Sequence, residues 1–317
     1  MLSTSIQALL DFGMIPPPIA VHKTNKDIYA SSWACLRETL VLGEVPRYLK
    51  EAVAAGASEA NKCPYCIGAH LMMLDVFKPG KSLEASQETS FHGMNGAELQ
   101  NWARACFLPA DRRPKQPFPK TFQSEIVGTA VFFHYLTRIV TIYLGDSLIP
   151  KKLNWLVPLM MPLMRIVMGL NDRRSKIPGA SQLKNIPRTG GPEWADKDNV
   201  RLAFAQFQNV LGDNIRKVID ITVIDFINSF LSSWESRTES LSKNWVNSYI
   251  DVWSEQETLR KQQARFIILT IGSPYMIVEE DKDVLIKKMG YSNLFTMTAW
   301  ASLKAALKTG QLIVSQK

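Results

Sequence analysis

Residues 51–70 read EAVAAGASEANKCPYCIGAH, and the spacing inside this stretch decides how the rest of the chain is read. The Ala-rich run from Glu51 to Ala60 has high helix propensity, weakened at Gly56. Asn61 and Lys62 interrupt it. Pro64 suits the first position of a second helix, because its missing N–H would have no intrahelical partner there, and Cys63 then stands at the N-cap. Cys63, Cys66 and His70 follow at intervals of three and four, so one helix presents all three on the same face.

That face carries chemistry. A thiolate is the reactive form of cysteine, an imidazole four residues on can take the Cys66 proton, and two sulfurs three residues apart can close a disulfide. The exposed N–H groups of a helix N-terminus favour charge on Cys63 as well. The spacing therefore leaves open which sulfur attacks. Glu51, on the preceding helix, is a candidate to orient His70 or to pass protons to it. A metal site is not expected, because a closed zinc site takes four ligands and only Cys63, Cys66 and His70 stand close in sequence, with a carboxylate from Glu51 an unusual fourth.

Outward from this stretch the texture stays helical. Trp33, Leu36, Leu40 and Val41 keep a 3.6-residue period, Val45-Pro46 marks the entry to the Glu51 helix, and residues 122–144 read as one long apolar helix. No sustained period-two alternation occurs, which predicts an all-α fold. Pro16-Pro17-Pro18 sets off residues 1–27 as an N-terminal arm, and the Pro/Gly-rich residues 171–199 read as a linker. The expected organisation is a helical domain over 28–170 with the cysteine motif and a second helical half over 200–317, a degenerate repeat without cysteines. In that half, 200–230, 241–271, 278–289 and 294–307 are helical in texture.

The chain has 317 residues, 46% hydrophobic and 21% charged, which excludes disordered and fibrous classes. Thirty-seven Lys and Arg against 29 Asp and Glu give +8. The basic residues form no long block or basic-aromatic alternation, so nucleic acid is not an expected partner. Arg173, Arg174, Lys176, Lys184 and Arg188 form a loose basic cluster, read as a solvated linker. The apolar stretches 126–145 and 154–170 are interrupted by His134, Arg138, Pro158, Pro162 and Arg165; both read as buried or interface helices, not transmembrane segments, with monotopic membrane contact the alternative. The first residues lack the pattern of a signal peptide, and a cytoplasmic location is expected. Four cysteines are too few for a disulfide scaffold in a chain of this length.

Other residues have blander readings. Cys35 and Cys106 fit apolar helix faces as small core residues, and His22 and His92 sit in polar text without a role. His134 is a core histidine or a pocket-lining one, Tyr65 either packs between the cysteines or gates a pocket, and Met160, Met161, Met164 and Met168 are core, subunit contact or a pliable ligand wall.

The motif formed by Glu51, Cys63, Cys66 and His70, Glu-x11-Cys-x2-Cys-x3-His, resembles that of the carboxymuconolactone decarboxylase superfamily, in its alkylhydroperoxidase D-like branch. Val45-Pro46-Arg47 before the Glu51 helix and residues 133–138 (FHYLTR) are similar to the family as well, most clearly over residues 28–148, with a weaker echo over 257–302. The resemblance implies an oligomeric all-helical bundle. It also implies a thiol-dependent peroxidase or disulfide reductase that uses no metal or flavin, a hydroperoxide substrate, and an external dithiol reductant of the lipoyl or thioredoxin-like kind. By the same resemblance Cys66 is peroxidatic, Cys63 resolving, His70 the base and Glu51 the far end of a proton relay. Tyr65 departs from relatives with His at that position. The alternative is a non-catalytic helical interaction protein whose cysteine pair senses redox state; lactone decarboxylation leaves the cysteines without a role.

Overall fold

The computed structural model describes residues 3–78, 91–106, 108–147, 157–172, 177–179, 190–235 and 242–315. It is helical throughout, and among the described residues the only β-type pairing is an isolated bridge between Phe91 and Met94. The α-helices are α1 (Thr4–Phe12), α2 (Pro17–Ala20), α3 (Lys26–Leu36), α4 (Arg47–Ala60), α5 (Pro64–Phe77), α6 (Gly96–Ala105), α7 (Gln123–Tyr143), α8 (Val157–Asp172), α9 (Asp198–Ile215), α10 (Ile221–Ser233), α11 (Asn247–Ile250), α12 (Thr258–Gly272), α13 (Glu279–Met289) and α14 (Tyr291–Val314). The all-α expectation holds.

Helix α7 is the axle. It is long and apolar enough to cross a membrane, yet nearly all of it is buried inside the protein, with α4, α5 and α14 packed around it. A helix apolar on every side belongs at the centre of a large core. Arg138 near its end donates to the Ile271 carbonyl from both Nε (3.3 Å) and Nη2 (3.1 Å), tying α7 to the last turn of α12. On the far side α3 packs on α9, and apolar side chains from residues 8–142 and 194–313 join in one buried cluster.

Helix α4 meets α6 so closely that a side chain at Gly56 has no room: a Cβ there would lie 2.1 Å from the Gln100 carbonyl oxygen. The glycine that weakens α4 as an isolated helix is what lets the two backbones approach.

Several local expectations are corrected. The N-terminal arm contains α1, which packs on the rest of the protein: Asp11 pairs with Arg37 (2.8 Å) and Gln7 accepts from the Trp33 indole (3.1 Å). Polar contacts at long sequence separation hold it, and local periodicity does not display them. His22, read as a loop residue, is fully buried; one ring nitrogen lies 2.6 Å from the Tyr135 hydroxyl and the other 3.2 Å from the Ile19 carbonyl oxygen. The stretch 241–271 is not continuous helix, because short 3₁₀ turns at Lys243–Val246 and Glu255–Glu257 precede α12. The helical run 200–230 is divided between α9 and α10, with Asp220 capping the second. Much of the linker, including its basic cluster, lies outside the described residues.

Two outcomes are expected. Gly56→Ala should cost about 1–3 kcal/mol in denaturant unfolding through overpacking of α4 on α6; an unchanged midpoint would remove the close-approach argument. Burial lowers the His22 pKa to about 3, from 6.5. The unfolded chain therefore takes up a proton below pH 6.5 that the folded chain refuses, and the stability present above that pH falls by about 1.4 kcal/mol per unit on acidification. In His22→Gln the slope between pH 5 and 6.5 should lose this one-proton component.

Candidate active site

The corner between α4 and α5 places the cysteines. Asn61 closes α4, and Lys62 takes a left-handed conformation (φ 51°) that is uncommon for a residue with a side chain. This turn delivers Cys63 to the N-cap of α5, where its sulfur accepts from the Cys66 N–H at 3.4 Å, and Pro64 occupies the first helical position as its chemistry predicts. The Cys63 and Cys66 sulfurs are free thiols 2.8 Å apart.

His70, one turn beyond Cys66, is held from α4. Its Nδ1 lies 2.6 Å from Glu51 Oε2, and the other carboxylate oxygen accepts from Arg47 Nε at 2.6 Å. The opposing charge of Arg47 and the hydrogen bond from His70 outweigh burial and hold the Glu51 carboxyl below its ordinary pKa. The Arg47 guanidinium lies between the rings of Phe12 (5.0 Å) and Phe77 (5.1 Å). The His70 ring meets Phe133 edge-on at 4.4 Å. The chain Arg47–Glu51–His70 is thus sealed among aromatic rings.

These groups border a cavity of about 350 Å³, within the range of small-molecule sites. Its apolar walls come from α1, α2, α3, the turn after α3, α5, α7 and α8, and include Leu40, Met72, Met73, Leu136, Met164 and Met168. Cys66, Tyr65, His70, Glu51 and Arg47 bring the polar atoms. The two sulfurs differ: Cys66 borders the cavity, whereas Cys63 lies behind it. Their acidities differ in the opposite sense. The hydrogen bond from the neighbouring Cys66 thiol, with help from the helix N–H, outweighs burial and lowers the Cys63 pKa, while burial and then the bond to Cys63 push Cys66 up. When the pair ionises, the charge therefore goes first to Cys63.

The structure brings Glu51, Cys63, Cys66, His70 and Tyr65 together. His134 is not with them. Successive residues on a helix point about 100° apart, so Phe133 and Leu136 of α7 face the cavity while His134 turns away. Its Nδ1 lies 2.9 Å from the Asn61 amide and its Nε2 3.7 Å from Cys106 Sγ. Cys35 and Cys106 are buried, and desolvation raises both thiols, Cys106 to about 12. Of the methionines singled out on α8, Met164 and Met168 form cavity wall. Arg47 was not assigned a role from sequence, although its four-residue spacing from Glu51 is the ordinary signal for a helical ion pair.

The assignment of charge to Cys63 is checked by titrating thiolate absorbance in the fully reduced protein. A component of about one thiolate should appear below the ordinary cysteine range, vanish in Cys63→Ala and persist in Cys106→Ala. Its survival in Cys63→Ala would transfer the charge to Cys66.

No family model matches the chain, and no solved structure matches it. Over 97% of its length the chain is similar to an alkyl hydroperoxide reductase of Mycobacterium tuberculosis, at 28% identity and across 89% of that protein. This likeness over nearly the whole chain supports an alkylhydroperoxidase-like family.

Proposed function

We propose that this protein is a thiol-dependent peroxidase that reduces organic hydroperoxides through the Cys63–Cys66 pair. The observation that carries the reading is two free thiols 2.8 Å apart, one of them bordering an apolar cavity beside a histidine held by a buried carboxylate. The similarity to a protein named for alkyl hydroperoxide reduction supports the same chemistry.

Cys66 is the sulfur a substrate in the cavity meets. Its proton passes to Cys63, 2.8 Å away, or to His70 across the cavity wall, and the resulting thiolate attacks the terminal peroxide oxygen. The O–O bond breaks, the alkoxide takes a proton and leaves as alcohol, and Cys66 becomes a sulfenic acid. Cys63 then attacks that sulfur; the S–O bond breaks, water leaves, and a disulfide forms. An external dithiol, lipoyl or thioredoxin-like, exchanges with the disulfide, restoring both thiols and becoming a disulfide itself. Protons and two electrons balance without a metal or flavin. Glu51 keeps the His70 ring oriented, and Arg47 keeps Glu51 ionised.

Treating the reduced protein with one equivalent of organic hydroperoxide should consume both thiols as a single Cys63–Cys66 disulfide, reversed by dithiol over repeated cycles. Cys66→Ser should lose turnover by at least about 1000-fold, in line with removal of an attacking group. Cys63→Ser should consume one equivalent and stop at the sulfenic acid, and Cys35→Ala should turn over normally. Unimpaired turnover in Cys66→Ser would refute the proposal. Thiols that form the disulfide only with a change in partner binding, and never turn over peroxide, would favour the redox-sensing alternative.

A further inference from the structure

The proposed mechanism leaves one proton without a source. When the O–O bond breaks, the departing oxygen keeps the electron pair of that bond, and an alkoxide forming among apolar walls needs a donor beside it. Five residues bring polar atoms to the cavity, and four of them are committed. Cys66 supplies the attacking sulfur. Glu51 is held ionised and only accepts. Arg47 spends its Nε on Glu51, and its Nη2 is sealed. His70 is tied to Glu51 through Nδ1, and its other nitrogen is a place for the proton of Cys66.

Tyr65 is the fifth. It precedes Cys66 on α5 and borders the same cavity, its side chain is 6% exposed, and its hydroxyl has no hydrogen-bond partner among the described residues. Buried phenols ordinarily find one. Two others in this protein do: the Tyr135 hydroxyl lies 2.6 Å from a His22 nitrogen, and that of Tyr143 lies 2.9 Å from the Thr298 hydroxyl. A donor left unpaired on a cavity wall is completed by what enters the cavity. We propose that Tyr65 is a catalytic residue, whose hydroxyl binds the leaving oxygen of the hydroperoxide and protonates it while the Cys66 thiolate attacks the terminal oxygen. The proposal rests on the peroxidase reading and supplies the acid that reading lacks.

Atoms and electrons balance. A bond forms between Cys66 Sγ and the terminal oxygen, the O–O pair goes to the carbon-bearing oxygen, the phenol proton follows it, and the alcohol leaves neutral. The phenolate regains the proton that Cys66 gave to Cys63 or His70, so the sum is thiol and hydroperoxide to sulfenic acid and alcohol. Burial, and after it the charges of Cys66 and Cys63, push the phenol pKa up to about 12. Tyr65 therefore keeps its proton through the neutral range and is still a stronger acid than an aliphatic alcohol.

A ring that only packs acts alike on every oxidant, whereas an acid matters only where the leaving group needs a proton. The reduced full-length protein, wild type and Tyr65→Phe, is mixed with tert-butyl hydroperoxide, which releases a strongly basic alkoxide, and with peracetic acid, which releases acetate. Thiol loss is followed by stopped flow over a single turnover. Tyr65→Phe should react about 100-fold more slowly with the hydroperoxide and within about threefold of wild type with the peracid. The ratio of the two rates in one sample does not depend on how much of the variant is folded. Equal slowing with both oxidants would make Tyr65 a packing residue, and an unchanged rate with the hydroperoxide would give the proton transfer to His70. Either result overturns the proposal and leaves the peroxidase reading intact. Wild-type thiols that ignore tert-butyl hydroperoxide would overturn both.

Discussion

The site depends on an ion pair that takes no part in its chemistry. Lys50 and Glu125 are both 1% exposed and meet at 2.9 Å between α4 and α7. Charges sealed from water cost several kcal/mol each unless every oxygen and proton is occupied. Here Lys50 also donates to the Leu42 carbonyl, and Glu125 accepts from the Glu44 and Val45 N–H groups and from Lys197; against burial, the Lys50 charge and these hydrogen bonds bring the Glu125 pKa down to about 2. Gly43 lets the backbone wrap the carboxylate, since any Cβ there would collide with it. The start of α4 is thereby locked against the central helix.

The carboxylate that orients His70 in the proposed mechanism is one residue away. Glu51 follows Lys50, and the helical turn between them sends the two side chains to different neighbours, Lys50 to α7 and Glu51 to His70 on α5. A shift of α4 that relaxed the first pair would pull the second apart. The apolar cavity strengthens this dependence, because charge–charge interactions grow as water is excluded and an unpartnered Glu51 would be costly there. The support, Lys50, and the carboxylate that holds the His70 ring, Glu51, share one helix, and His70 is the more exposed end of the chain of contacts.

The parts of this arrangement legible in the sequence are those written on single helices. Cys63, Cys66 and His70 share α5, so spacing was enough to group them, and Pro64 marked where the helix starts. The Glu51–His70 contact joins two helices, and a matching motif pointed to it where spacing was silent. His134 shows the converse: it lies on the right helix one residue from a true wall position, and a single step of about 100° sends it to Asn61 instead. His22 was hidden because Pro-rich text reads as surface, while the contacts that bury it come from α7 and α14, more than a hundred residues on. No local pattern announced that α1 would close the cavity.

That closure has a consequence for how the chemistry ages. A sulfenic acid has two fates, condensation with the neighbouring thiol or a second oxidation that cannot be undone by dithiols. Phe12 and Met14, at the end of α1, stand on the cavity wall, and Phe12 stacks on Arg47. In the proposed peroxidase the end of α1 would therefore act as a preservative, its apolar wall limiting how soon a second oxidant follows the first. Its wear over many cycles would then be governed in part by a nine-residue helix that contributes no reacting atom.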